Sequence, residues 1–130
     1  MSLSFKFFLF VMFFSYSNFV FGEWKQVVEN SEVIFYVELG SVRLIDDGIK
    51  SVWVLKNQKK PKKNLGSRQL KLEMDCEQDE MRISSRYTYS GKSLSGLPIK
   101  DYFKTEEWRS IKTDNELMAV HNLICKKNSK

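Results

Sequence analysis

Hydrophobic and polar residues alternate without a fault from Gln69 to Cys76. Leu70, Leu72, Met74 and Cys76 fall on one side, and Gln69, Lys71, Glu73 and Asp75 on the other. A period of two is that of a half-buried β-strand with one wet face, and it turns Cys76 toward the interior. The pattern resumes after a polar connection, Glu77-Gln78-Asp79-Glu80. Met81, Ile83, Ser85, Tyr87 and Tyr89 then alternate with Arg82, Ser84, Arg86 and Thr88, which predicts an antiparallel hairpin. Upstream, Trp24–Glu29 reads as a short strand ended by Asn30-Ser31. Val33–Val37 is rich in β-branched and aromatic residues, Leu39-Gly40 is expected to break it, and Ser41–Ile45 to resume it. Asp46-Asp47-Gly48 signals a turn. Ile49–Lys56 runs back with Val52 and Val54 on one face and Trp53 and Leu55 on the other, as in a central strand covered at least in part on both sides.

Two stretches depart from this alternation. Lys56–Asn64 holds five lysines and a proline with no apolar residue, and is expected to be an exposed loop. Ser90–Lys112, with Gly91, Gly96 and Pro98, is irregular and is expected to wrap an edge of the sheet. The chain then changes period. Leu117, Val120, His121 and Ile124 recur at helical spacing, and Thr113-Asp114-Asn115-Glu116 ahead of them fits a capping box with Thr113 and Glu116 as partners. Lys126 and Lys127 fall where the helix dipole favours positive charge. The pattern predicts an α+β domain: an antiparallel meander of about six strands with one C-terminal helix, clamped by a disulfide.

The first residues are of another kind. Met1–Gly22 has one basic residue, a continuous apolar run at Phe7–Phe14, and compact residues at Val20 and Gly22, the layout of a secretory signal peptide. The run is far shorter than the roughly 20 residues of a spanning helix. Removing it takes away eight of the ten phenylalanines and leaves a single domain at 23–130 with a net charge of about +4. Export bears on the two cysteines, because two thiols in one small exported domain usually pair. Cys76 and Cys125 are expected to form that disulfide, two buried free thiols being the alternative. Two Cys and a single His do not supply the four ligands of a structural zinc site, so no metal and no cofactor is expected.

Chemistry is sparse. Gly91-Lys92-Ser93-Leu94-Ser95-Gly96 approximates a nucleophile elbow, but its second Gly falls one residue late. It also approximates the tail of a phosphate loop, but Arg86 stands where that loop needs Gly. His121 lies on the apolar face of the helix and reads as a packed, hydrogen-bonded residue. A small secreted or periplasmic enzyme built on His121 is the alternative to a non-catalytic protein. The lysines Lys56, Lys59, Lys60, Lys62 and Lys63 could meet an acidic partner surface. They have no interleaved aromatics of the kind that stack on bases, so nucleic acid is not expected. Tyr102, Phe103 and Trp108 are the candidate aromatic contacts.

Trp24, Tyr36 followed by Ser41-Val42-Arg43, and Val52-Trp53 stand in sequence with Ser67, Glu73-Met74-Asp75-Cys76, Arg82, Tyr89-Ser90, Trp108 and Cys125. In this order they resemble the surface-adhesin protein E family of Gram-negative bacteria. The resemblance implies a small sheet domain with a C-terminal helix and a disulfide between the matching cysteines. It also implies an adhesin-like module that contacts host matrix or cell-envelope proteins. Two departures stand out. The named adhesin of the family is a lipoprotein, whereas Met1–Gly22 contains no cysteine to carry a lipid, so export to the periplasm or medium without a membrane anchor is expected. A proline the family often has before its last helix is replaced here by Ile111-Lys112-Thr113.

Overall fold

The computed structural model describes residues 23–99 and 102–126. The expected signal peptide at Met1–Gly22 and the expected helix-end Lys127 lie outside them. Five strands follow one another and pair with their sequence neighbours: β1 (Trp24–Glu29), β2 (Val33–Asp46), β3 (Ile49–Lys62), β4 (Leu65–Asp75) and β5 (Glu80–Tyr89). The outer edge of β5 takes two short partners. β6 (Pro98–Ile99) pairs with Thr88 and Tyr89, and β7 (Arg109–Ser110) with Glu80 and Met81. Between them the Glu106 N–H donates to the Ile83 carbonyl at 3.0 Å. The irregular stretch therefore covers the sheet edge as expected, and occupies groups that would otherwise template pairing with another chain.

Alternation sets the two faces. Val33, Phe35, Val37, Val52, Val54, Leu70, Leu72, Met74 and Met81 are buried together, and helix α1 (Asn115–Ile124) covers them with Leu117, Val120 and Ile124. Ile111 fills the same core with no exposed surface. Two anchors hold the far end of α1. Cys125 is bonded to Cys76, just beyond β4, their Cα atoms 5.4 Å apart. Lys50 Nζ donates to the Ile124 carbonyl at 3.0 Å, so a lysine from the sheet serves the dipole end where Lys126 and Lys127 were expected.

Three expectations are corrected. Leu39-Gly40 does not end a strand. β2 is continuous with a register shift between Glu38 and Arg43, because Ser41 Oγ donates to the Glu38 carbonyl and accepts from the Trp53 N–H, supplying the bonds the bulge would leave open. The lysine-rich stretch is not a loop. β3 runs through it to Lys62, with Val33 opposite Gln58 and the Lys59 N–H donating to the Glu32 carbonyl. A ladder is made by the backbone and needs no apolar side chains. Pro61, which has no N–H, sits where the register shifts and none is required. The turn moves to Lys63-Asn64, where Asn64 takes a φ of 61°, a position asparagine tolerates. The helix is capped by Asp114, one residue later than Thr113. Its carboxylate accepts from the Leu117 N–H at 3.0 Å, a charged acceptor at the positive end of the helix.

Candidate functional site

The sequence-predicted residues separate into groups. Lys60, Lys62 and Lys63 are exposed at the β3–β4 hairpin tip. Lys59 is held by Glu29 at 3.0 Å. Lys56 is drawn into the molecule, its ammonium 5.5 Å from the centre of the Phe35 ring. Among the aromatics, Tyr102 is 98 % exposed. Phe103 and Trp108 lie under the guanidinium groups of Arg86 and Arg82, at 4.7 and 4.6 Å, and Arg82 is held in turn by Glu73 at 2.7 Å.

Lys56 opens onto a cleft of about 460 Å³ between the helix-side face of the sheet and the start of α1. Phe35, Val54 and Leu70 line its floor, and Lys56, Lys62, Arg68 and Arg109 stand on its walls. Lys56 and Arg68 are directly opposite one another across β3 and β4, an arrangement that like charges disfavour. Burial holds the Lys56 ammonium below the ordinary lysine value of 10.5, and Arg68 lowers it further. Asp114 pulls the other way, and Arg109 adds to the depression. Among the described residues no carboxylate lies within ion-pair distance of Lys56, Arg68 or Arg109. Arg68 and Arg109 escaped the sequence reading because 40 residues separate them. A signal was present for two of the cations, since Arg68 extends the apolar row Leu70-Leu72-Met74 by one step of two, and Lys56 extends Val52-Val54 in the same way.

His121 is 3 % exposed. Its Nε2 lies 3.0 Å from the Asp75 carbonyl oxygen, so the ring donates there, and Nδ1 is buried with no hydrogen-bond partner. Cys125 Sγ is 3.7 Å from Nε2. The packed histidine read from the helix face is what the structure has. Among the described residues, no group of three or more His, Cys, Asp or Glu is gathered as a metal ion requires.

The Gly91-Lys92-Ser93 stretch makes a single 3₁₀ turn, Lys92–Leu94, folded against Asn57 and Ser67 on the face away from α1. The Ser93 N–H donates to Asn57 Oδ1 at 2.7 Å and the Leu94 N–H to Ser67 Oγ at 2.8 Å. Ser67 Oγ donates to the Gly91 carbonyl at 2.7 Å. A side chain at Gly66 would collide with the backbone of Gly91. The motif is a strap across the sheet, with its serine tied to Asn57.

One antiparallel meander under one stapled helix, with a cleft beside the helix start, defines a small single-sheet α+β domain. Residues 24–126 match the family model of surface-adhesin protein E, and the chain belongs to that family. Its fold is that of Haemophilus influenzae protein E. One crystal form of that protein is similar over 86 % of this chain and 94 % of its own, with a TM-score of 0.64 and 16 % identity. Another structure of it covers 83 % and 87 %, with a TM-score of 0.62 and 16 % identity. Protein E from non-typeable Haemophilus influenzae covers 84 % and 79 %, with a TM-score of 0.58 and 18 % identity. Comparison with curated proteins found no match. No helix among the described residues is long and apolar enough to cross a membrane.

Proposed function

We propose that this protein is an exported, non-catalytic binding module that contacts a host-matrix or cell-envelope protein. Membership of a surface-adhesin family over residues 24–126 carries the reading. Export would use the leader at Met1–Gly22, which has no cysteine to lipidate, so the mature protein would reach the periplasm or the medium and not be a lipoprotein. The burial of His121 against the disulfide speaks for a structural histidine, since a general base must reach a substrate proton. Lys60, Lys62 and Lys63 form a dense exposed charge at one hairpin tip, and such charges act mainly on encounter rate and are screened beyond roughly 8 Å at physiological salt. Tyr102 is the exposed aromatic best placed to add specificity.

The test is capture of matrix proteins and of envelope extract by protein taken from its native host, whose intact mass reads out both the cut and any acyl group. Wild type and a variant with Lys60, Lys62 and Lys63 changed to Ser are compared across a salt series. Wild type is expected to capture a partner faster at low salt, and the variant to lose that advantage. Equal capture at every salt concentration would remove the lysines from the mechanism. No capture from any preparation would overturn the binding-module reading.

A further inference from the structure

The Cys76–Cys125 bond borders a second cleft, of about 300 Å³, whose wall also carries Asp79, His121 and Lys126. Its two cysteines differ in exposure. Cys125 is 8 % exposed, whereas Cys76 is half-buried in the turn after β4. Cys125 Sγ lies 3.7 Å from Nε2 of His121, one helical turn earlier on α1. The buried Nδ1 of that ring has no partner, so the ring proton sits on Nε2 and is given to the Asp75 carbonyl. The Cys125 sulfur is within reach of the same N–H, and Asp79 Oδ1 is 3.7 Å from the same nitrogen. A disulfide sulfur is a weak acceptor and a thiolate a strong one, so this donor stabilises Cys125 chiefly after the S–S bond is broken. Breaking the bond does not set the helix free. Leu117, Val120 and Ile124 stay in the core, and Lys50 still holds the Ile124 carbonyl.

We propose that Cys76–Cys125 is an exchangeable disulfide, opened through this cleft by a small-molecule thiol, with Cys125 leaving as a thiolate held by the His121 Nε2–H. In the first step the incoming thiolate attacks Cys76 Sγ, the more exposed sulfur. A new S–S bond forms there, the Cys76–Cys125 bond breaks, and its electron pair stays on Cys125. The better-stabilised thiolate is the better leaving group, so exposure and His121 select the same direction of attack. In the second step another thiolate attacks the outer sulfur of the mixed disulfide and releases Cys76. The two cysteines gain two electrons, two molecules of the small thiol leave joined as their disulfide, and their two protons pass to the cysteines or to water. Lys126 at the rim favours a thiol that carries a carboxylate. The state of this bond would then set how firmly the end of α1 is held to the sheet. The inference is independent of the partner-binding reading.

The test equilibrates the folded protein, without denaturant, in glutathione buffers of graded thiol-to-disulfide ratio, followed by alkylation and intact-mass measurement. Wild type is expected to pass from oxidised to reduced within the series while its circular dichroism stays native. At the midpoint, peptide mapping should find glutathione on Cys76. His121→Leu is expected to be about tenfold less reduced at a given ratio, a potential lower by about 30 mV. If that variant folds poorly, the reduced protein carries the test through its ultraviolet thiolate absorbance at neutral pH. That absorbance should persist in Cys76→Ser and vanish in Cys125→Ser. A bond that stays closed at the most reducing ratio, or opens only as the fold is lost, would overturn the inference. So would glutathione on Cys125, a folded His121→Leu with the wild-type potential, or no thiolate absorbance in Cys76→Ser.

Discussion

Lys56 is a lysine at a core-facing strand position, with a phenylalanine beneath it and an arginine across the ladder. Its folded-state pKa lies below the unfolded value, first because burial disfavours the ammonium and then because Arg68 repels it. Between the two values the unfolded chain holds more protons than the folded one, so this residue's contribution to stability improves as pH rises through that window. Below the window the protein bears the full cost of the charge. Lys56→Met removes the titration and keeps the apolar stem. The variant is expected to be the more stable protein at neutral pH, with its advantage shrinking as pH approaches 10.5. Urea unfolding of both proteins across that pH range checks it, and a gap that does not change with pH would show that no buried charge is involved. The sequence marks Lys56 as one of five lysines. That it lies over the core follows from its parity with Val52 and Val54 once β3 continues past it, whereas Lys60 and Lys62, of the same parity, come after the register shift that follows Asn57 and are exposed.

At the scale of elements, the strap from Ser90 to Leu97 is the feature least visible in the sequence. Ser93 and Leu94 take positive φ values of 54° and 62° in succession, a conformation non-glycine residues adopt only when the surroundings impose it. Asn57 and Ser67, both buried on the strands beneath, impose it through their hydrogen bonds. Ser67→Ala leaves the Leu94 N–H and the Gly91 carbonyl without their partner, at an expected cost of about 1–3 kcal/mol. Ser95→Ala, which removes an exposed hydroxyl, should change stability by less than about 0.5 kcal/mol. Chemical denaturation of the two variants distinguishes them, and equal small effects would mean that the strap is not held from the sheet. Motif reading could not see this contact. Asn57, Ser67 and Ser93 are ordinary polar residues until β3, β4 and the strap are superposed.

Across the whole molecule, α1 belongs to the sheet by three ties at one end: the Cys76–Cys125 bond, the Lys50–Ile124 hydrogen bond and the His121–Asp75 contact. The disulfide closes a sequence separation of 49 residues, for which the chain-entropy model gives about 4 kcal/mol. Replacing both cysteines with Ser is expected to lower unfolding stability by up to that amount. Amide exchange in 115–124 should accelerate more than exchange in β3 and β4, whose ladders are unaffected. Uniform acceleration across helix and sheet would instead mean that the helix has no stability of its own to lose.

Periodicity was enough for the strands, their order and the helix, because a period of two or of 3.6 is a property of consecutive residues and survives without knowing their neighbours. It also placed Leu70, Leu72 and Met74 in the core, and, with the exported setting, it paired the only two cysteines. Where β3 ends was not decided locally. Side-chain polarity argued for a loop at Lys56–Asn64, while the hydrogen bonds that extend the strand come from Val33 and Glu32 on another part of the chain. The helix cap was decided between adjacent residues, Thr113 and Asp114, by which side chain met the Leu117 N–H. The cleft belongs wholly to tertiary structure. Lys56, Arg68 and Arg109 come from three strands, and charges so far apart in sequence share a field only when the sheet pairing sets them side by side.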